Sequence, residues 1–133
     1  MSSNKTVRNA VRLTVLAAIV TMMMASAAFA QQKVCINLLA GAGYAAKMYV
    51  IVGSVQSQET SSFPIGQTKC ITLSDVVPAG TEIKPGTEIT TKIKAILGRT
   101  ETCTPDKIKY DPKRTDNIVY NAKGTTQNVK CNQ

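Results

Sequence analysis

The chain has no histidine and no tryptophan, and only two phenylalanines and four tyrosines in 133 residues. Each shortage excludes something. Without His there is no Ser-His-Asp or Cys-His catalytic set, no His-ligated zinc, and no side chain that ordinarily changes charge between about pH 5 and 8. Charge and fold are therefore expected to be nearly flat from about pH 5.5 to 8. Sugar clefts are usually paved with aromatic rings, so a small carboxylate-pair hydrolase, which needs no His, is the weakest functional reading. The serines at 54, 57, 61, 62 and 74 sit in no G-x-S-x-G elbow and no S-x-x-K pair. GAGYAA at 41–46 lacks the third glycine and the βαβ context of a phosphate loop. The expectation is a protein that is not an enzyme and that needs no cofactor or metal.

Long apolar runs are also scarce, with one exception at the start. Lys5, Arg8 and Arg12 precede the run Leu13 to Met24, and Ala28-Phe29-Ala30 follows as an A-x-A site. That three-part pattern predicts a secretory signal over residues 1–30, cleaved after Ala30. The run is too short for the ~20 apolar residues of a membrane span, so no transmembrane segment is expected in the mature chain. There is no Arg-Arg pair, which favours the general secretory route and a periplasmic or extracellular product. Residues 31–133 then form one domain. Three of the sixteen basic residues and none of the eight acidic ones fall in the leader, so the apparent +8 becomes +5. With no interleaved aromatics and an exported address, that charge does not indicate nucleic acid.

The four cysteines, Cys35, Cys70, Cys103 and Cys131, all follow the cleavage site. An even count in an exported chain of this size predicts two disulfides, because the compartment is oxidising and the core is small. The wide spacings exclude a close-paired zinc site, and a catalytic thiol lacks its His. Three pairings are open. The favoured one joins Cys35 to Cys70 and Cys103 to Cys131, tying the first strand to an early neighbour and a late loop to the final strand.

Periodicity is that of strands. Residues 89–97 alternate with Ile89, Thr91, Ile93, Ala95 and Leu97 on one face, and 47–55 is apolar on both. Further strands are expected at 33–39, 67–73, 117–121 and 125–131, the last with Val129 and Cys131 facing inward. Proline and glycine turns separate them, including Ala122-Lys123-Gly124 and the twice-occurring Gly-Thr-Glu-Ile at 80–83 and 86–89, read as two successive turns. Helix should be minor, at most a turn within 104–116. The fold class is all-β: a small sandwich, Ig-like or jelly-roll-like, with two disulfides.

The richest polar stretch runs from Arg99 to Asp116, where long loops tend to carry function. Arg99, Lys107, Lys109, Lys113 and Arg114 make it a candidate loop for an anion or partner. A calcium site at Asp111, Asp116 and Asn117 fails on spacing and on the adjacent cations. The reading is an exported, non-catalytic binding or structural module of the envelope or secretome, whose partner is another protein or an envelope component. It would act through this loop or through an exposed sheet edge. The alternative is a cationic protein that binds anionic lipid or disturbs membranes.

Overall fold

The computed structural model describes residues 31–133, and the expected leader lies outside the described residues. Nine strands and one short helix follow in order: β1 (Lys33–Leu38), β2 (Ala46–Val52), β3 (Val55–Gln56), β4 (Thr68–Thr72), α1 (Leu73–Val76), β5 (Glu88–Ala95), β6 (Thr100–Thr102), β7 (Ile108–Lys109), β8 (Ile118–Thr125) and β9 (Asn128–Asn132). They form two sheets. One has the order β4-β1-β8-β9, and the other β3-β2-β5-β6 with β7 also paired to β5. All pairings are antiparallel except β1 with β8, which run parallel in the middle of the first sheet.

Alternation explains why two layers result. In β2 the residues Ala46, Met48, Val50 and Val52 are buried while their neighbours are half exposed, and in β5 Ile89, Thr91, Ile93 and Ala95 take the same role. From the facing sheet Val34, Ile36, Leu38, Ile118, Tyr120 and Ala122 point inward, and both sets join one core with Phe63 and Leu73. With a period of two, each strand buries one face and wets the other. Met48 and Phe63, the single Met and Phe among the described residues, are both within the core, at 0% and 1% exposure.

Both disulfides form as favoured. Cys35 and Cys70 sit opposite one another on β1 and β4, with Cα atoms 4.0 Å apart, so this bridge lies within one sheet. Cys103, just past β6, reaches Cys131 on β9 and joins the two sheets. Two disulfides indicate an oxidising environment.

Four expectations are corrected locally. Leu97 does not continue the buried face of β5; it is 96% exposed at the β5–β6 turn with φ 59°. Ile96 donates its N–H to Ala45 and the chain then reverses, with the Gly98 N–H bonded back to the Ala95 carbonyl. Ala122-Lys123-Gly124 is strand rather than turn, because Gly124 pairs with Val129 and the reversal falls at 126–127. Gly124 takes φ 101°, and its bare Cα admits the Asn128 carbonyl, which a side chain would block. The one helical turn is at 73–76 rather than within 104–116, and Pro78 follows two residues after it. The 99–116 stretch is not structureless, since β6 and β7 both lie within it.

The repeated Gly-Thr-Glu-Ile resolves as two turns. Thr81 donates to Pro78 and Thr87 to Lys84, with Gly80 and Gly86 at φ 80° and 83°. A positive φ at the third turn position is the type II signature, which Gly satisfies without strain.

Candidate functional site

The two long sides of the sandwich differ. On the β6/β9 side the sheets are sewn together: beyond the Cys103 bridge, the N–H of Thr104 donates to Cys131 at 2.8 Å, Gln133 to Thr104 at 3.0 Å, and Arg99 to Thr126 at 2.8 Å. The edge strands of the two sheets are thus tied to one another at both ends of β6.

On the other side, the outer edge of β2 is covered by the chain that follows it. After the β3 pairing, Ser57 and Thr60 donate their N–H groups to Val50 and Met48, and their hydroxyls accept the N–H groups of those same residues. Phe63 then exchanges both backbone bonds with Ala46. Residues 55–63 thus satisfy every second residue of β2, partly with side chains in place of backbone.

Strand β4 has no such cover. Leu38 bonds Gln67 and Leu73 bonds Gln32 across the β1–β4 ladder, so odd-numbered residues of β4 turn their backbone toward β1. The N–H and C=O of Thr68 and Cys70, and the N–H of Thr72, therefore face outward, and none has a backbone partner among the described residues. Beside this edge lies a groove of about 530 Å³ between the two sheets, walled by Val55, Gln58, Ile71, Asp75, Val76 and Val77. From β4, Lys69 donates to the Ser61 hydroxyl at 2.8 Å. The site combines extended backbone donors and acceptors with a groove of mixed lining whose Val55, Ile71, Val76 and Val77 give it an apolar part, features that an added strand uses.

Of the five cations of the expected loop, Arg99 stands apart from Lys107 and Lys109. Arg99 sits at the β5–β6 turn, whereas Lys107 just precedes β7 and Lys109 lies in it, at the opposite end of β5. Eight residues of β5 separate them, on the order of 20 Å. Lys107 is held by Glu88 at 3.0 Å, and Lys109 lies opposite the same residue. The Lys113 N–H caps a turn through the Asp111 carboxylate, and Arg114 lines a second cavity. On the outer face of the five-stranded sheet, Lys47 and Lys94 stand directly opposite each other, with Glu59 bridging them at 4.0 and 3.2 Å.

That second cavity, also about 530 Å³, lies at the end of the sandwich where Leu73, Ile83, Pro85, Tyr110, Pro112 and Arg114 meet Gln31 and Gln32. Gln32 is 8% exposed; its amide donates to the Asp116 carbonyl at 3.0 Å while its own Oε1 has no partner. Two buried tyrosines complete the polar interior. Burial pushes the Tyr44 hydroxyl up to about 12, and it donates to the Lys123 carbonyl. Burial also raises Tyr120, opposed by neighbouring Thr91 and Arg114. The Tyr120 hydroxyl donates to the Pro105 carbonyl, a long contact at 3.4 Å, and Thr91 Oγ1 beside it is left without a partner of good geometry.

Among the described residues, no group of three or more His, Cys, Asp or Glu is placed to hold a metal, and no helix is long and apolar enough to cross a membrane. No protein-family model, curated protein or solved structure matches the chain.

The groove residues were not legible as a site. Val55, Val76 and Val77 read as ordinary apolar positions, and no local pattern in Thr-Lys-Cys-Ile-Thr marks β4 as an edge.

Proposed function

We propose that residues 31–133 are the mature form of an exported, non-catalytic binding module, released by cleavage after Ala30 and acting in the periplasm or outside the cell. Its partner is another protein, which adds an extended strand to the outer edge of β4 and sets apolar side chains into the adjoining groove. The observation that supports this reading is the contrast between two edges: residues 55–63 cover β2, whereas the outward backbone of β4 is bare beside a groove with Val55, Ile71, Val76 and Val77 in its walls. The parallel β1–β8 pair favours an Ig-like over a purely antiparallel jelly-roll arrangement.

Two substitutions test it. Thr72 has φ −76°, compatible with proline, so Thr72→Pro removes one outward N–H with little cost to the fold. Val77→Lys places a charge in the groove. Oxidised mature protein should capture an envelope component that both variants lose while their melting curves stay near that of the parent. Capture unaffected by either variant rejects the edge.

The cationic alternative has less support, because Glu59 and Glu88 pair with lysines on the five-stranded sheet. Binding to anionic vesicles at low salt that disappears at moderate salt would favour it over the edge reading.

A further inference from the structure

We infer that the mature chain carries its first residue, Gln31, as pyroglutamate. This rests on the proposed cleavage after Ala30. The α-amino nitrogen of Gln31, in its neutral form, attacks the Cδ carbonyl carbon of the same side chain. The N–Cδ bond forms, the Cδ–Nε2 bond breaks, and the amide nitrogen departs as ammonia with the hydrogen given up by the amine. A five-membered lactam remains, and no oxidant or cofactor enters. A free α-amino group has a pKa near 7.7 to 8.0, so a substantial fraction is nucleophilic at about neutral pH.

The structure separates the two adjacent glutamines sharply. Gln31 is exposed and outside regular structure, one residue ahead of the first anchored position. Gln32 is 8% exposed, its side-chain amide is tied to the Asp116 carbonyl at 3.0 Å, and its backbone carbonyl accepts the Leu73 N–H at 3.0 Å. Gln31 can fold back on its own backbone without breaking a contact of the fold. Gln32, were it the first residue, would have to give up the Asp116 bond. Cyclisation is therefore specific to cleavage at this one position.

The reaction also has an electrical consequence. Gln31 lies on the wall of the end cavity with Leu73, Ile83 and Tyr110, and with Glu82 and Arg114 as its charged neighbours. A neutral lactam there removes a positive charge from the rim that Glu82 and Arg114 share. All four cysteines are in disulfides and the chain has no His, so the α-amino group is the remaining unit that ordinarily titrates near neutrality. Its loss leaves the mature protein without one, and blocks exopeptidases that require a free amine.

The test uses the full chain, secreted and purified without reduction. Its intact mass should equal residues 31–133 with both disulfides, less one ammonia. A product beginning at Gln31 with its ammonia retained overturns the inference while leaving the cleavage reading intact; a product with a different first residue overturns both. Titration gives an independent readout: between about pH 9 and 7 the Gln31→Ala protein should take up about one more proton than the parent. Equal uptake by the two overturns the inference.

Discussion

Removing each disulfide separately should expose a difference that loop length does not contain. The bridges close loops of similar size, with sequence separations of 35 and 28. In the chain-entropy model each is worth about 3.5 to 4 kcal/mol, so on that ground the two double-alanine variants would be nearly equal. Their surroundings are not equal. Cys103 and Cys131 are 0% and 2% exposed, so losing both sulfurs also opens space between the sheets, adding roughly 1 to 2 kcal/mol. Cys35–Cys70 bridges adjacent strands on the outer face, where Cys35 is 4% exposed but Cys70 is open to solvent. The expected costs are therefore about 4 kcal/mol for C35A/C70A and about 5 to 6 kcal/mol for C103A/C131A. Urea titration of oxidised protein would read these from midpoint and slope together, because losing a cross-link also expands the unfolded chain and steepens the slope. Mild thiol treatment followed by alkylation and peptide mapping gives a second measure. Cys35 and Cys70 should be labelled first, and Cys103 and Cys131 only as the protein unfolds. Earlier labelling of the inter-sheet pair, or a smaller cost for its removal, would refute the reasoning that burial distinguishes the two.

Other outcomes follow from single contacts. Gly98→Ala should destabilise by about 1 to 3 kcal/mol in the same titration, because a Cβ there collides with the Thr126 carbonyl and lies 2.8 Å from Thr126 Cβ, forcing the two hairpin tips apart. A cost below a few tenths of a kcal/mol would mean the tips are not packed. Stability should be flat from about pH 5.5 to 8 and fall above about pH 10. Tyr44 and Tyr120 have raised folded-state values, so the folded form holds protons that the unfolded form releases. The stabilisation is complete below the ordinary tyrosine value and is lost as pH climbs toward about 12 for Tyr44. Tyr44→Phe should reduce that alkaline slope while costing about 1 kcal/mol at neutral pH from the lost bond to Lys123. An unchanged slope would place the loss elsewhere.

The two-layer fold was legible because alternation is a local signal. Ile89, Thr91, Ile93 and Ala95 share a face wherever the strand is put, and Val129 with Cys131 likewise. Leu97 broke that reading for a reason that lies outside its own strand. Arg99 bonds Thr126 in the neighbouring hairpin and Gly98 is pressed against the same residue, so the chain must reverse before Leu97 can turn inward. Gly124 misled in the opposite direction. Glycine between polar residues reads as a turn, yet here it is the gap through which a facing backbone passes. Nearness in sequence is not nearness in a sheet: β6 and β7 pair with opposite ends of β5 and carry Arg99 away from Lys107 and Lys109. The edge of β4 depends on which strands remain unpaired after all the others have chosen partners, a global property without a local signature.

The position of the Cys35–Cys70 bridge connects stability with the proposed edge. An edge strand that receives a partner is pulled away from its own sheet unless something resists, and β4 is only five residues long. Its ladder with β1 gives a few backbone bonds, each contributing about 1 kcal/mol. The disulfide sits in the middle of that ladder, opposite Cys35 at the third of five paired positions. Strand β4 is therefore pinned at its centre, with Thr68 and Thr72 free to meet a partner on either side. Pinning also fixes which backbone groups face outward, because a slip by one residue would require the bridge to break. Reducing this pair should lower partner affinity before it unfolds the domain. The inter-sheet bridge has no such relation to the edge, so C103A/C131A, where still folded, should bind as the parent does. Equal loss of binding in both variants would mean that the disulfides act only through global stability.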